Sequence, residues 1–235
     1  MKKAVIFDLY GTLINIRTDE DDNSVYETLS RYLAYQSVNI SAEELRRAFI
    51  GGVRKYMGQS KEKYPEVDVY KIFFDVMNTY GKKRYSKGSV VDISMLFRSL
   101  TIRNFGVFEG LYDVLVSLST KCRTAIVSDA QWVFAEPEMA MLGLDQFFKV
   151  KIFSSRLGFK KPDPRLFHAA ADKLGIAPRD SVYIGDNPFK DLGGAKNAGM
   201  KFVLFKSEHG RYNGYEPDGV FHDYSELNRI LSKLP

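Results

Sequence analysis

Cysteine is almost absent from this chain of 235 residues. Cys122 stands alone, so no intrachain disulfide can form and a reducing compartment is expected. It opens an apolar run, where a buried structural thiol is expected rather than a nucleophile. Long hydrophobic runs are lacking as well. Met1-Lys2-Lys3 leads straight into a short strand, too short for a signal-peptide core or a membrane span, so a cytoplasmic protein with no membrane partner is expected. Charge of one sign is not in large excess either: 34 basic residues against 29 acidic leave a net charge of +5. The densest basic cluster, Lys82-Lys83-Arg84, reads as a solvated turn, and no basic run is long enough to argue for nucleic acid. The surplus is compatible with an electropositive mouth for a small anionic substrate. No internal repeat or low-complexity segment stands out. What remains, 45% hydrophobic and 27% charged, is the composition of a globular protein long enough for one large domain or two small ones.

The chain is organised around its first dozen residues. Ala4-Val5-Ile6-Phe7 reads as a buried strand that ends at Asp8 and turns through Leu9-Tyr10-Gly11-Thr12, the glycine allowing a tight turn. A carboxylate so placed can attack an electrophile or hold a cation. The pattern then becomes helical for some eighty residues. A first helix is predicted over 24–36 with Ser24 as N-cap, and a second opens at a Ser41-Ala42-Glu43-Glu44 capping box and runs to about Met57. A third covers about 67–80 and a fourth about 89–102. Helices in succession without a strand suggest an inserted helical cap over 16–102, leaving 1–15 and 103–235 as the core.

Beyond residue 103 strands alternate with helices. Strands are predicted at 124–127, 150–153, 181–184 and 201–205, with a short one near Val220-Phe221. Helices fall at 109–118, from 130 to Leu142 with a break or fresh turn at Pro137, from Asp163-Pro164 to Leu174, and at 189–198, before a last amphipathic helix. This alternation predicts an α/β fold with a doubly wound parallel sheet. In such sheets functional groups gather outside the carboxyl ends of the strands. That selects Asp8, Tyr10 and Thr12, then Ser128 and Asp129, then Asp186, Asn187 and Asp191.

Asp8-Leu9-Tyr10-Gly11-Thr12, Ser128 after an apolar strand, Lys161-Pro162-Asp163-Pro164, and Gly185-Asp186-Asn187-Pro188-Phe189-Lys190-Asp191 resemble, in order, the four motifs of the haloacid dehalogenase-like hydrolase superfamily. The resemblance covers essentially the whole chain, helical cap included, and implies a Rossmann-like core. It implies Asp8 as nucleophile, with Thr12 and Ser128 as hydrogen-bond donors and Lys161, rather than adjacent Lys160, paired with Asp8. It further implies Mg²⁺ held by Asp8, the Tyr10 carbonyl and Asp186, with Asp191 holding a metal-bound water or orienting Lys161. A strand-end Asp can also merely cap a turn, and Asp191 can simply place negative charge in a first helical turn.

The departure is Tyr10. Phosphatases of the superfamily usually carry a second aspartate here, which protonates the leaving alcohol and then activates water. Tyrosine, with a reference pKa of about 10, is a poor base near neutrality and is reminiscent of the 2-haloacid dehalogenases. The last motif has the metal-binding form instead. The reading is therefore a Mg²⁺-dependent phosphatase of a small phosphorylated metabolite, in which a good leaving group, a cap residue or Asp129 makes up for the missing acid. One alternative is a metal-free haloacid dehalogenase in which Arg17 or Arg31 holds the carboxylate or halide. The other is a non-catalytic binding or regulatory protein that keeps the metal site.

Overall fold

Ala4-Val5-Ile6-Phe7 contains no polar side chain because the strand it forms is covered on both faces. In the computed structural model, which describes residues 4–205 and 214–234, the chain opens with β1 (Ala4–Phe7) and β2 (Ile14–Thr18). Four helices follow, α1 (Asn23–Tyr35), α2 (Ala42–Gln59), α3 (Val69–Tyr80) and α4 (Lys87–Thr101). Next come β3 (Ile102–Val107), α5 (Leu111–Ser119), β4 (Arg123–Ser128), α6 (Trp132–Met141) and β5 (Val150–Phe153). The short α7 (Ser154–Leu157), α8 (Pro164–Leu174), β6 (Ser181–Gly185) and a π-helical turn (Pro188–Leu192) lead to α9 (Gly193–Asn197), β7 (Lys201–Phe205), β8 (Gly219–Phe221) and α10 (Leu227–Lys233). Met1-Lys2-Lys3 lies outside the described residues.

The expected doubly wound sheet is present: six parallel strands in the order β5-β4-β1-β6-β7-β8. Because β1 sits between β4 and β6 and the chain winds outward from it both ways, the crevice at its carboxyl end is the switch point where ligands bind in such sheets. Phe7 is in register with both Ile126 and Ile184, so the ends of these three strands open side by side. Strand alternation divides the core in two. Ala4 and Ile6 pack with Leu166, Phe167 and Ala170 of α8, whereas Val5 and Phe7 join a larger cluster that runs on into the helical unit.

The helical unit α1–α4 packs around an aromatic centre. Phe97 lies 4.9 Å from the ring of Phe49, 5.5 Å from Phe73 and 6.1 Å from Tyr26, and it reaches Phe134 of α6 at 6.4 Å. The capping box at Ser41 and Glu44 forms, and Asp163 caps α8 ahead of Pro164. The segment between α2 and α3 is stitched to the core: the Lys160 amide donates to the Tyr64 carbonyl at 2.9 Å and the Glu66 amide to the Gly158 carbonyl at 3.0 Å. Lys82-Lys83-Arg84 forms an exposed turn, and no described helix is long and apolar enough to cross a membrane.

Several expectations are corrected. The helices of the insertion are entered and left through strands, for β2 and β3 pair into an antiparallel ribbon with Ile14 opposite Val107 and Ile16 opposite Phe105. The two strands form a small sheet of their own, and although β2 alternates as Ile14-Asn15-Ile16-Arg17, so short a run is overshadowed by the long helical periodicity that follows. Asp22, not Ser24, caps α1 by accepting the Ser24 amide. α6 runs through Pro137 without breaking, giving up the one backbone bond that proline cannot donate. The helix expected over 189–198 begins instead as a π turn. Cys122 is half-buried rather than fully enclosed, and burial still raises its pKa and keeps it protonated.

Removing the ring at the centre of the helical unit leaves a large cavity, so Phe97→Ala should lower the unfolding free energy by about 3–5 kcal/mol in urea titration. A loss under about 1 kcal/mol would mean that this unit does not unfold with the rest of the chain.

Candidate active site

Each strand of the central three ends in an acid or a small hydroxyl. The Asp8 amide still bonds the Ile184 carbonyl, at 2.8 Å, so its backbone is fixed by the ladder while its side chain leaves the sheet. The chain then turns at Gly11, whose φ is +81°. A Cβ there would fall 2.4 Å from an Asp186 oxygen, so only glycine lets the first loop approach the third strand's carboxylate. Thr12 Oγ1 points to Asp186 Oδ1 at 3.5 Å, and the buried hydroxyl of Tyr224 pins the Thr12 carbonyl. β4 brings Ser128, 1% exposed, to the same crevice. β6 ends at Gly185, where a Cβ would meet Asp191 Oδ2 at 2.4 Å, again the signature of packed functional groups.

Lys161, not Lys160, carries its ammonium into the site. Its Nζ lies 2.8 Å from Asp8 Oδ1 and 2.6 Å from Asp191 Oδ1 and is almost wholly removed from solvent. Asp129, on the loop after β4, accepts the Lys161 amide on Oδ1 at 2.8 Å and sits 3.3 Å from Lys190 Nζ, so it positions the lysine loop. Asp191 has both oxygens engaged. Oδ1 takes Lys161 and the Tyr183 hydroxyl at 3.2 Å, and Oδ2 takes the Asn187 amide at 2.9 Å. The π turn brings this carboxylate back under the strand end, while Asn187 caps the turn through the Phe189 and Lys190 amides.

One ligand oxygen each from Asp8, Asp186 and Asp191 lie within 4.8 Å of one another, and the Lys161 ammonium pairs with two of the three, Asp8 and Asp191. Burial works against charge on Lys161, yet Asp191, Asp8 and Asp129 together hold its pKa well above the ordinary lysine value. Burial pushes Asp191 up to about 7, opposed by Lys161 and reinforced by Asp8 and Asp186. Lysine thus stays protonated, and mutual repulsion among the three carboxylates remains. A small divalent cation would relieve it, and the donors are the hard carboxylate oxygens that Mg²⁺ prefers, so these residues fit the ion.

A sequence model of the haloacid dehalogenase-like hydrolase family matches residues 2–199. The chain belongs to that family. This hydrolase is 33% identical to a glyceraldehyde 3-phosphate phosphatase of Pyrococcus furiosus over 48% of its own length and 44% of the relative's. It is 32% identical to the enzyme of that name from Methanothermobacter thermautotrophicus over 53% and 58%. The chain therefore spans about half the length of these relatives. Pyrophosphatase PpaX of Bacillus mycoides matches at 27% identity over 98% of this chain and 97% of its own. Among solved structures, a 2-haloacid dehalogenase from Pseudomonas syringae superposes with a TM-score of 0.68 at 20% identity, covering 99% of each chain. A HAD phosphatase from Thermococcus onnurineus superposes at 0.60 and 23%, covering 97% of each. At these identities the structural matches speak for the fold alone.

Tyr10 of the hydrolase gives its hydroxyl to Glu138 Oε2 at 2.5 Å. Burial raises its pKa well above the usual tyrosine value, the Glu138 charge raises it further, and Arg98 opposes. Arg17 is exposed on the ribbon, and Arg31, also exposed, bonds Thr28 of its own helix. Arg98, its side chain 11% exposed, is more enclosed than either, and no motif marked it. Tyr183, Tyr224 and Glu138 were likewise invisible in the motifs. Glu138 had one signal, as one of two acids, with Glu136, set between Val133-Phe134-Ala135 and Met139-Ala140-Met141. On the helical unit, Lys55 and Tyr56 both bind Asp75, and Tyr70 packs on Trp132.

Lys161→Met strands Asp8 and Asp191 without their shared partner, so the metal-free protein should lose about 3–5 kcal/mol of stability, measured by urea unfolding. Lys160→Met should cost far less. Equal losses would contradict the assignment of the buried ammonium to Lys161.

Proposed function

We propose that this hydrolase is a Mg²⁺-dependent phosphatase acting on a small phosphorylated metabolite, with Asp8 as nucleophile. The observation that carries the reading is the clustering of the Asp8, Asp186 and Asp191 carboxylates, one oxygen of each within 4.8 Å of the others, a set of hard donors that displacement of a halide from a haloacid has no use for. Relatives named glyceraldehyde 3-phosphate phosphatase, pyrophosphatase and phosphoglycolate phosphatase point the same way.

In this mechanism a carboxylate oxygen of Asp8 attacks phosphorus in line with the leaving group. The P–O bond to the leaving group breaks, and an aspartyl phosphate forms. Water then cleaves the acyl phosphate, returning the Asp8 carboxylate and releasing inorganic phosphate. Lys161 places positive charge beside Asp8 and the phosphoryl group, and Asp191, hydrogen-bonded through both oxygens, holds the lysine there. Thr12 and Ser128 offer hydroxyl donors at the ends of the first loop and of β4. Asp8, Asp186 and the Tyr10 carbonyl would hold Mg²⁺, with Asp191 behind them. When bound, the ion supplies positive charge against the phosphoryl oxygens. The helical unit over the strand ends excludes water and reads the leaving group.

The test is release of p-nitrophenol from p-nitrophenyl phosphate and of chloride from 2-chloropropionate, each with Mg²⁺ and with EDTA. Phosphate-ester hydrolysis that requires Mg²⁺ and falls by about 10⁴-fold or more in Asp8→Asn is the expected result. Chloride release indifferent to EDTA, with no phosphatase activity, would establish the dehalogenase instead. Binding of Mg²⁺ with phosphate but no turnover on a broad panel of phosphorylated metabolites would make this a regulatory protein.

Millimolar Mg²⁺ should also raise the melting temperature of the wild-type protein by mass action, and Asp186→Asn should abolish that rise. A full rise in the variant would remove Asp186 from the ligand set.

A further inference from the structure

We propose that Tyr10, Glu138 and Arg98 form a latch that fixes the helical unit over the strand ends, with Tyr10 acting in it as a positioning residue and not as a proton donor to the leaving group. The second half of the proposal rests on the phosphatase reading; the first does not.

Glu138 stands on α6, on the sheet side of the molecule, and is 4% exposed. Its two oxygens are divided between two other parts of the chain. Oε1 takes Arg98 Nε, at 2.6 Å, from α4 of the helical unit, and Oε2 takes the Tyr10 hydroxyl, at 2.5 Å, from the loop that follows the nucleophile. The Arg98 guanidinium also packs on aromatic rings, its centre 5.3 Å from the Tyr10 ring and 5.2 Å from the Phe134 ring. An ionised carboxylate is tolerated among apolar side chains only when its oxygens are bonded, so displacing either Tyr10 or Arg98 exposes a charge that its surroundings cannot solvate. The arrangement therefore favours the one geometry in which all three groups meet.

Its place in the chain gives the latch leverage. Tyr10 comes four residues before β2 begins at Ile14, and Arg98 four before β3 begins at Ile102. β2 and β3 are the strands through which the chain enters and leaves the helical unit, so the latch brackets both crossings. Tyr10 is also two residues from Asp8. Seating of the helices and placement of the nucleophile loop are in this way tied to one carboxylate. The same bond removes the tyrosine proton from the reaction, because the hydroxyl is directed to Glu138. With no acid at this position, substrates whose leaving group departs as a stable anion are favoured, as in acyl phosphates, phosphoanhydrides and aryl phosphates with acidic phenols.

Two measurements decide it. Hydrogen–deuterium exchange on the whole protein without substrate tests the latch directly. Tyr10→Phe should speed exchange in residues 14–18, 98–101 and 102–107 by about tenfold or more and leave β1 and β6 unchanged. Arg98→Lys keeps the charge but not the guanidinium geometry, and it should do the same if Tyr10→Phe fails to fold. Unchanged exchange in the ribbon, or a uniform rise throughout the chain, overturns the latch.

The second measurement is kcat/KM, with Mg²⁺, for aryl phosphates of increasing phenol pKa. Rates should fall steeply with phenol pKa, with the same slope in wild type and Tyr10→Phe and a constant factor between them. A steeper slope in Tyr10→Phe means that the hydroxyl gives its proton to the leaving group, and it overturns the positioning role. If the wild-type protein hydrolyses no aryl phosphate, the phosphatase reading and the second half of the proposal fall together, and exchange alone decides the latch.

Discussion

The buried ammonium of Lys161 is the interaction on which the rest of the site depends. It reaches Asp8 and Asp191 together, and neither carboxylate has enough water around it to carry its charge alone. To bring it there the chain spends a good deal of structure. The Asp129 carboxylate holds the Lys161 amide, Pro164 and the Asp163 cap start α8 beyond it, and the π turn folds Asp191 back beneath β6. Asp186 brings a third carboxylate oxygen within 4.8 Å of those of Asp8 and Asp191, so the centre gathers acidic oxygens of the kind that hold a hard cation. That clustering is what the proposed Mg²⁺-dependent phosphatase would use and a halide displacement would not.

A second buried carboxylate does for the helical unit what Asp191 does for the lysine. Glu138 lies between the nucleophile loop and α4, and its two partners come from opposite ends of the insertion. Around it the contact between the units is mixed: Phe97 meets Phe134, Gln131 donates to the Val67 carbonyl and accepts the Val69 amide, and Tyr64 and Glu66 pair with the segment just before Lys161. These contacts are polar and directional or aromatic and shape-dependent, so the seat of the helices is specific as well as tight. The side chain at residue 10 thereby gains a structural duty, and in the proposed reaction the leaving group departs as a stable anion without a proton from Tyr10.

Much of this was legible in the linear chain. Apolar runs ending in Asp8, Ser128 and Gly185-Asp186 reveal parallel strands and their active ends, because strands buried on both faces have few other places for polar residues. The four helices of the insertion announce themselves through periodicity and caps, Ser41 with Glu44 most plainly. The ribbon of β2 and β3 did not, since a two-stranded pairing takes its stability from what it joins rather than from its own composition. Nor did the π turn, which differs from an α-helix in one hydrogen-bond step that side-chain periodicity over five residues does not resolve.

The family resemblance of the motifs implied Asp8 and Lys161 as a pair, and the sequence by itself determined the order of the motifs, the parallel core and the succession of helices before residue 102. These follow from local pattern, because strand ends, caps and glycine turns are set by neighbours in the chain. Only the tertiary structure decided what Tyr10, Arg98 and Glu138 do. Tyr10 is 128 residues from its carboxylate, and Arg98 is 40 from the same group. A buried charge network of that separation is fixed by where the fold brings its members and by the cost of leaving any of them unpaired, and neither is written in the spacing of residues along the chain.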